Sequence, residues 1–219
     1  MHRQNTENYL QYASISIANN SNKLNYFGIS SASSFFKRFL DVFLSLVILA
    51  FSTPLMLLLA IAKKLTSSDP IIFSQKRVGK DGKLFRLYKF RTLYANTNPY
   101  AVTPNKSDDP RIAPLGKFLR NTGLDELPQF VNVLKGEMSI VGPRPEMEFI
   151  AKDYSLFERT RLFVKPGITG LWQIHADRKK PIHENIDHDL HYIENYSIFL
   201  DFAIIIETAL FMLRKIIKS

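Results

Sequence analysis

The sequence predicts a mainly helical α+β protein, in which a re-entrant membrane helix-hairpin precedes a compact cytoplasmic domain with a short β-hairpin and interfacial amphipathic helices. Three observations support this prediction: a membrane-sized apolar run that contains a proline, two strand-like runs joined by a glycine turn, and long helical patterns toward the C-terminus. The 219-residue length and 46% hydrophobic content are sufficient for one sizeable domain with a packed core plus an appendage.

The N-terminal stretch, residues 1–34, is rich in Asn, Ser and Gln and has no regular apolar periodicity. It also lacks the hydrophobic segment of a cleavable signal peptide. We therefore predict a disordered polar tail.

The apolar run at residues 39–62 would form a straight helix about 36 Å long, which is enough to cross a membrane. A single transmembrane helix is the simplest interpretation. Pro54, however, kinks a helix, while the hydroxyl groups of Ser52 and Thr53 can bond the carbonyls that it frees. Basic residues, which favour the cytoplasmic side, also flank both ends of the run, and together these features favour a re-entrant helix broken at Thr53-Pro54. The flanking basic residues are Lys37, Arg38, Lys63 and Lys64.

Two strand-like runs, around residues 71–77 and 84–92, are joined by a turn at residues 79–82 and predict a β-hairpin. Lys89 and Arg91 are two residues apart on the second strand, so their side chains lie on one face. That face is either a phosphate-binding edge or a charged sheet surface.

Periodicity and turn residues predict helical segments along the rest of the chain. In the last of them, the polar side chains between Asp201 and Lys218 form one narrow stripe, which indicates a helix in the membrane interface or over the core rather than a second span. The predicted segments are residues 114–121, a short helix from Asp125, residues 146–161, and residue 182 to the C-terminus.

The formal net charge is +9, so the expected partners are anionic: nucleic acid, phosphorylated small molecules or anionic membrane lipids. The absence of cysteine excludes disulfides, thiolate catalysis and Cys-ligated zinc. His188 and His191 have a spacing that metal ligands use, but a solvated helix face explains them better than a zinc site.

Asp125 and Glu126 are adjacent carboxylates where a helix is predicted to begin, because Gly123 precedes them and Pro128 fits a first helical turn. Acidic residues in this position often only cap a helix and complement its dipole. Together with nearby basic residues, the dipole is expected to keep both carboxyl groups ionised. Ionised carboxylates can act as a nucleophile or as magnesium ligands.

The sequence Gly142-Pro143-Arg144-Pro145 places an arginine between two prolines. The prolines restrict the backbone, so the planar guanidinium can be presented to a phosphate with little entropy left to lose. Without its acidic and basic neighbours, the same sequence would be read as a stiff loop with a solvated arginine.

Five segments of the chain resemble the bacterial sugar transferases, the small monotopic polyprenyl-phosphate glycosyl-1-phosphate transferases. They follow the order of that family from about Phe35 to Arg214, and therefore cover everything except the N-terminal tail. Each short motif is weak, but the combination is specific. The segments are FKRFLDVFLSLVILAFSTPLMLL, FSQKRVGKDGKLFRLYKFRTL, DDPRIAPLGKFLRNTGLDELPQFVNVLKGEMSIVGPRP, KPGITGLWQI and YIENYSIFLDFAIIIETA.

The resemblance implies transfer of a sugar-1-phosphate from a UDP-sugar to a polyprenyl phosphate, such as undecaprenyl phosphate, with release of UMP. This reaction is the initiating step of surface polysaccharide or glycoconjugate biosynthesis. By the family pattern, Asp125 would be the nucleophile on the β-phosphorus and form a covalent phospho-sugar intermediate, and Glu126 would complete the dyad. The same pattern implies Mg²⁺ as a cofactor, with Asp125 and Glu126 as candidate ligands.

The family pattern also implies a set of substrate-binding residues. One of them departs from the pattern: after GLWQ the family often has Gly-Arg, whereas here Asp177 stands at the expected arginine position and Arg178 follows it. The implied residues are Lys89, Arg91, Arg120, Pro143, Arg144, Pro145 and Arg178.

The implied location is the cytoplasmic face of the bacterial inner membrane, with a homodimer as a further expectation and no nucleic-acid partner. The chain then divides into a polar tail at residues 1–34, a re-entrant membrane helix at 35–64 and a catalytic domain at 65–219. Two alternatives stay open. One is an ordinary glycosyltransferase, which would release UDP. The other is a basic membrane-anchored adaptor or nucleic-acid binder, for which the basic and aromatic residues between Lys83 and Arg91 are suited.

Overall fold

A long N-terminal helix packs against a small α+β domain, so the predicted mainly helical class is confirmed. The computed structural model describes residues 31–101, 104, 109–175 and 186–217. Single 3₁₀ turns occur at Lys80–Gly82, Leu124–Glu126 and Thr160–Phe163. The helices and strands are α1 (Ser31–Thr66), β1 (Ile72–Val78), β2 (Leu84–Phe90), α2 (Gly116–Thr122), α3 (Gln129–Lys135), β3 (Ser139–Val141), α4 (Glu148–Lys152), α5 (Leu156–Arg159), β4 (Gly167–Thr169), α6 (Leu171–Ile174), α7 (Ile186–Glu194) and α8 (Ile198–Ile217).

Helix α1 is 36 residues long and is apolar enough, by length and composition, to cross a membrane. Most of its apolar surface is exposed, including Phe51 and Leu65, and one stripe is buried against the domain. The buried stripe consists of two pairs, Asp41 with Ser45 and Leu59 with Lys63. The two members of each pair are four residues apart, so they lie on the same side of the helix.

Both ends of α1 contact the same domain. Near the start, Arg38 donates to the Val133 carbonyl of α3 at 2.6 Å. Near the end, Leu59 packs with Phe90 of β2 and Leu119 of α2. Between these contacts, residues 46–58 include no buried residue, so this apolar segment is the part that the domain leaves exposed.

The chain remains helical on both sides of Pro54. Pro54 has no N–H for the Ala50 carbonyl, and the predicted bond from a neighbouring hydroxyl to that carbonyl is not formed: Thr53 donates to the Leu49 carbonyl at 2.6 Å, and Ser52 contacts the Met56 sulfur. The predicted break at Thr53-Pro54 is therefore not an end of the helix. Because α1 begins at Ser31, the last four residues of the predicted polar tail are helical, and the rest of that tail lies outside the described residues.

Strands β1 and β2 form the predicted antiparallel hairpin, with Ile72 opposite Phe90. Their connection places Asp81 and Gly82 at φ values of 55° and 76°. Aspartate and glycine tolerate this left-handed conformation, which explains why they occupy the turn.

Strands β3 and β4 form a parallel pair that was not predicted from the sequence. Each has only three residues, which is too short for a period-two pattern. The two backbones approach closely at Gly167, where a Cβ atom would overlap the backbone nitrogen of Gly142. The Gly167 N–H donates to the Pro143 carbonyl at 2.9 Å and so joins β4 to the loop after β3.

The helix predicted at residues 146–161 is divided into α4 and α5. Ser155 starts the second piece through a capping box, in which its hydroxyl accepts from the Glu158 N–H and the Glu158 carboxylate accepts from the Ser155 N–H. The C-terminal segment is likewise divided into α7 and α8, where Ser197 caps α8 by accepting from the Leu200 N–H at 3.1 Å. Its predicted start lies outside the described residues.

Helix α8 turns its apolar face outward and only part of its polar stripe inward, since Glu207 and Arg214 of that stripe are exposed to solvent and pair at 3.2 Å. Asp201 accepts from Lys37 at 2.6 Å, and Thr208 bonds Thr169 of β4 at 2.7 Å. Phe199 is 87% exposed. This arrangement is the reverse of a helix on a water-facing surface and suits a helix in the membrane interface.

Candidate active site

The two acidic residues of the predicted dyad lie on the 3₁₀ turn Leu124–Glu126, between α2 and α3. Gly123 ends α2 with φ at 71°, a left-handed conformation that glycine adopts without strain. The Glu126 N–H donates to the Gly123 carbonyl at 3.1 Å and closes the turn. The predicted helix start at Asp125 is thus a tight turn, and regular helix begins at Gln129.

The two carboxyl groups differ in their surroundings. Asp125 is buried, with 8% of its surface exposed, whereas the Glu126 side chain is 27% exposed. The guanidinium of Arg144 donates to Glu126 Oε1 from both terminal nitrogens, at 3.5 and 3.4 Å. No side chain in the described part of the chain forms a direct ion pair with Asp125, so its carboxylate is the one left for a substrate or cation.

Burial raises the pKa of Asp125 to about 6, and repulsion from Glu126 acts in the same direction. Attraction to Lys89, Arg120 and Arg144 opposes this rise without cancelling it. Burial therefore has a larger effect on the pKa of Asp125 than the nearby cations. Its carboxyl group is still mostly ionised at pH 7, but by a smaller margin than an exposed aspartate.

Lys89 and Arg91 share one face, as predicted, and both lie over the ring of Phe73, at 5.5 and 5.4 Å from its centre. Burial lowers the pKa of Lys89, and attraction to Asp125 opposes this shift. Arg91 donates instead to the Pro70 carbonyl at 3.0 Å. Among the described residues, the structure brings Lys89 but not Arg91 to the dyad.

Arg120 lies at the end of α2, where its guanidinium donates to the Pro104 carbonyl at 2.7 Å. Burial lowers its pKa, and attraction to Asp125 raises it. The backbone carbonyl of Arg120 also accepts from Lys215 of α8 at 2.7 Å. Arg120 is therefore a cation held in place by hydrogen bonds, and it acts electrostatically on the buried carboxylate.

The loop Gly142–Pro145 is fixed by its backbone. Pro143 and Pro145 are both buried, and their carbonyls accept from Gly167 at 2.9 Å and from Arg77 at 3.4 Å. The prolines thus hold the loop in place within the protein. Arg144 between them is half-buried and reaches Glu126.

Arg77 belongs to the site, although the sequence did not predict it as a site residue. It pairs with Glu146 at 3.6 Å and donates to Gln75 at 2.8 Å. Burial and repulsion from Arg144 lower its pKa to about 10. A signal was present, because Arg77 follows Phe73 by four strand residues and Phe73 is paired with Lys89, so Arg77 and Lys89 share a face.

Arg161 is a second missed residue and is 3% exposed. It donates to the Arg144 carbonyl at 2.9 Å and to the Tyr154 hydroxyl at 2.7 Å, and pairs with Asp189 of α7 at 2.7 Å. Arg161 therefore connects the loop that carries Arg144 to α7. No local pattern indicated this role, since the contact spans 17 residues of chain.

The donor set at Asp125 and Glu126 is suitable for Mg²⁺. Magnesium prefers oxygen ligands and is commonly held by one or two carboxylates together with substrate phosphates and water. Burial raises the pKa of Asp125 and repulsion from the adjacent Glu126 adds to this rise, so a cation bound by both carboxylates would be stabilised there. No cluster of three or more acidic or histidine ligands occurs in the described residues, so a cage made only of protein groups is not present there.

The histidines of the described region do not form a metal site. The rings of His188 and His175 lie 4.3 Å apart, centre to centre, at an angle of 41°, while His191 contacts Asn195. Arg178, the remaining predicted substrate-binding residue, lies outside the described residues.

A sequence model of the family described as bacterial sugar transferase matches residues 32–215 of this chain. The match begins within α1 and ends within α8, so it includes the acidic turn, the proline loop and the long apolar helix. It covers far more than half of the chain.

Several curated proteins are similar to this chain. The UDP-glucose:undecaprenyl-phosphate glucose-1-phosphate transferase of Klebsiella pneumoniae is 44% identical over 181 residues, which cover 79% of this chain and 39% of that protein. The protein of the same name from Escherichia coli K12 is 40% identical, over 82% of this chain and 40% of its own length. The chain therefore spans about two fifths of the length of these relatives.

This chain covers a larger share of a shorter relative. The exopolysaccharide production protein ExoY of Sinorhizobium fredii is 36% identical over 187 residues, which cover 78% of this chain and 83% of that protein. The acidic turn, the proline loop and the apolar helix thus occur in a chain similar both to long and to short proteins of this kind.

Proposed function

Because this chain belongs to the bacterial sugar transferase family, we propose that it transfers a sugar-1-phosphate from a UDP-sugar to a polyprenyl phosphate and releases UMP. Relatives named for undecaprenyl-phosphate sugar phosphotransfer support undecaprenyl phosphate as the acceptor. Relatives named for exopolysaccharide production support a role in starting a surface polysaccharide or glycoconjugate.

The observation that carries this proposal is the buried Asp125 carboxylate beside Glu126, which Arg144 holds. An acidic residue that only caps a helix does not have to be buried or to have a raised pKa. The same group is well placed to attack phosphorus, because Lys89 and Arg120 act on it electrostatically without an ion pair that would occupy its oxygens.

In the first step, a carboxylate oxygen of Asp125 attacks the β-phosphorus of the UDP-sugar. The bond between this phosphorus and the bridging oxygen breaks, and the electron pair leaves with UMP. The enzyme is left with an aspartyl phospho-sugar. Arg144, Lys89 and Arg120 supply positive charge for the diphosphate, which is the main need of phosphoryl transfer.

In the second step, a phosphate oxygen of the polyprenyl phosphate attacks the same phosphorus. The bond to Asp125 breaks, the carboxylate is regenerated, and the product is a polyprenyl diphosphate sugar. No proton has to be transferred in either step. A covalent intermediate lets a soluble donor and a lipid acceptor use one site in turn.

Asp125 and Glu126 would hold Mg²⁺, which when bound supplies positive charge that neutralises the donor diphosphate. The protein residues around it have separate tasks. Arg144 orients Glu126, and Arg161 and Arg77 hold the backbone of the loop that presents Arg144.

We propose that α1 enters the cytoplasmic leaflet of the bacterial inner membrane and returns to the same side. Support comes from its two ends, which contact one domain through Arg38 and Leu59, and from the exposed apolar segment between them. The outward apolar face of α8 would lie in the same interface. The reaction site would then lie near the depth of the lipid phosphate.

Product analysis tests this function against the alternatives. The full chain in detergent is incubated with Mg²⁺, undecaprenyl phosphate and a panel of UDP-sugars, and the released nucleotide is identified. We expect release of UMP with at least one UDP-sugar. Without the acceptor, we expect no more than one equivalent of UMP per enzyme. Release of UDP would indicate an ordinary glycosyltransferase, and no turnover with any sugar would favour an adaptor.

A further inference from the structure

A polar cavity of about 110 Å³, separate from the Asp125 site, lies beside the start of α1 and is bordered by β3, α7 and the segment before β4. It contains four cationic side chains and one carboxylate, and none of them belongs to the Asp125 site. A cavity of this size has room for several water molecules or a small ionic group. The charged lining residues are Lys37, Arg38, Lys80, Lys165 and Asp41.

Some of this charge is already matched within the protein. Lys37 pairs with Asp201 at 2.6 Å and lies 3.8 Å from Asp41. Asp41 is itself committed, because it accepts from the Ser139 hydroxyl at 3.1 Å and the Ile140 N–H at 3.0 Å. The single lining carboxylate therefore cannot neutralise the other cations.

The remaining cations converge without a direct ion pair among the described residues, although Arg38 donates to two backbone carbonyls and Asp41 attracts Lys165. Terminal nitrogens of Arg38 and Lys165 each lie 3.6 Å from the position that a Cβ atom would take on Gly136. In the described part of the chain, the ammonium groups of Lys165 and Lys80 have no ion-pair or hydrogen-bond partner, although the Lys80 backbone carbonyl accepts from the Lys83 N–H at 3.1 Å. Burial lowers the pKa of Lys165, and repulsion from Arg38 adds to this effect. Partly buried, unmatched cations are costly unless an anion joins them.

A buried hydroxyl group lines the same cavity. The Tyr196 hydroxyl is shielded from solvent and has no hydrogen-bond partner among the described residues. Burial raises the pKa of Tyr196, so the phenol stays neutral and can donate a proton to an acceptor. An unsatisfied buried donor is unusual and indicates an acceptor that completes it.

The required ligand is an anion with several acceptor oxygens that can bond ammonium groups and a phenol at once, and a phosphate group has this chemistry. The surroundings indicate its source. Phe35, Phe36 and Phe39 are exposed on α1 next to the cavity, as expected for a segment that enters the membrane interface. The cavity is then at the level of lipid headgroups, whose anionic members attract basic residues.

We propose that this cavity binds the phosphate group of an anionic phospholipid, with Lys165, Lys80 and Tyr196 as its principal ligands. A lipid held here would fix the depth and tilt of the domain relative to the membrane surface. This site depends on the proposed membrane placement of α1 and not on the chemistry at Asp125.

Native mass spectrometry of the full chain, released from detergent, tests the site by titration with phosphatidylglycerol, phosphatidylcholine or inorganic phosphate. We expect phosphatidylglycerol to bind most tightly, and Lys165→Ala to weaken it about tenfold, the loss of one charge-assisted contact. Tyr196→Phe should also weaken it while keeping the ring and the fold. Lys64→Ala is the matched control, because it removes an exposed lysine at the other end of α1.

Equal losses in Lys64→Ala and Lys165→Ala would overturn the site, since they would show a general attraction to charge. Displacement of the lipid by millimolar inorganic phosphate, with the same sensitivity to Lys165→Ala, would overturn the lipid as the source in favour of a soluble phosphate. Unchanged binding in Tyr196→Phe, whose folding is checked by thermal unfolding, would remove the phenol from the site. No nucleotide is present, so these results are separate from a failure of the proposed reaction.

Discussion

Asp125 is a buried carboxyl group whose charge has no direct partner among the described residues, and this combination is costly in a protein interior. The raised pKa is one expression of that cost. Such a group persists where a substrate or cation completes it, so perturbed acidic residues of this kind are typical of functional sites.

Replacing Asp125 by Asn removes the nucleophile while keeping the shape of the side chain. We expect no phospho-sugar adduct and a loss of turnover of about 1000-fold or more. Intact-protein mass spectrometry after incubation with a UDP-sugar, without acceptor, measures the adduct. Lys152→Ala is the control, because this exposed lysine pairs with Glu148 of its own helix. A full adduct in Asp125→Asn would exclude Asp125 as the nucleophile.

Arg161 supports the site from a distance by holding the Arg144 carbonyl and the Asp189 carboxylate. Arg161→Gln leaves that carboxylate buried without its cation, and we expect a loss of about 3–5 kcal/mol in the free energy of unfolding. Adding Asp189→Asn should recover part of this loss. Thermal unfolding of the single and double variants measures both effects, and additive losses would contradict a direct pair.

The loss in the free energy of unfolding that Arg161→Gln causes should depend on pH. Burial raises the pKa of Asp189 to about 6 even with the arginine present, and removal of the arginine raises it further. The folded state then binds this proton more tightly than the unfolded state, so stability falls as the pH rises through the unfolded pKa toward the folded one. We expect a smaller loss at pH 5 than at pH 8, and an equal loss at both would show that Asp189 is not the cause.

At the scale of elements, α1 and α8 are both apolar on the side that faces away from the protein. Each also sends a carboxylate inward, where Asp41 of α1 bonds β3 and Asp201 of α8 bonds Lys37 of α1. The first contact holds α1 against β3, and the second joins α8 to α1. Their apolar faces can therefore enter the membrane interface without separating from the domain.

The return of α1 to the same side of the membrane is a testable topology. The chain has no cysteine, so single cysteines can be placed at Ser34, Thr53 and Ser67. With a membrane-impermeant thiol reagent, we expect Ser34→Cys and Ser67→Cys to react from the cytoplasmic side and Thr53→Cys to be protected. Labelling of the two end positions from opposite sides would show a helix that spans the membrane.

At the scale of the whole molecule, α1 is part of the folded domain rather than a separate anchor. Its Leu44 packs on the main core, and its Met56 and Leu59 form a second cluster with Phe90 and Leu119. Membrane attachment and folding of the domain are therefore expected to be coupled.

Asp41→Ala tests this coupling. The change leaves the buried Ser139 hydroxyl and Ile140 N–H without their acceptor, and we expect a loss of about 1–3 kcal/mol in the free energy of unfolding. Thermal unfolding in detergent should show one transition at a lower temperature. Asp153→Ala, at an exposed position after α4, is the control. Unchanged stability in Asp41→Ala would show that α1 is only an anchor.

Much of this architecture could be predicted from the sequence because its causes are local. The apolar length of α1 and the turn between β1 and β2 are decided by neighbouring residues. The adjacent carboxylates and the proline-flanked Arg144 were also visible, since each motif is contiguous. The family resemblance joined them into one site, which a single motif could not do.

Other features depended on the tertiary structure. The three-residue strands β3 and β4 form only because distant segments meet, and Arg77 and Arg161 act across long stretches of chain. The pKa of Asp125 could not be predicted either, because the depth of burial decides whether desolvation or attraction to cations is larger. The sequence by itself determined the elements and the chemical groups. Only the tertiary structure decided which groups are buried together, because long-range contacts set solvent exposure and the distance between charges.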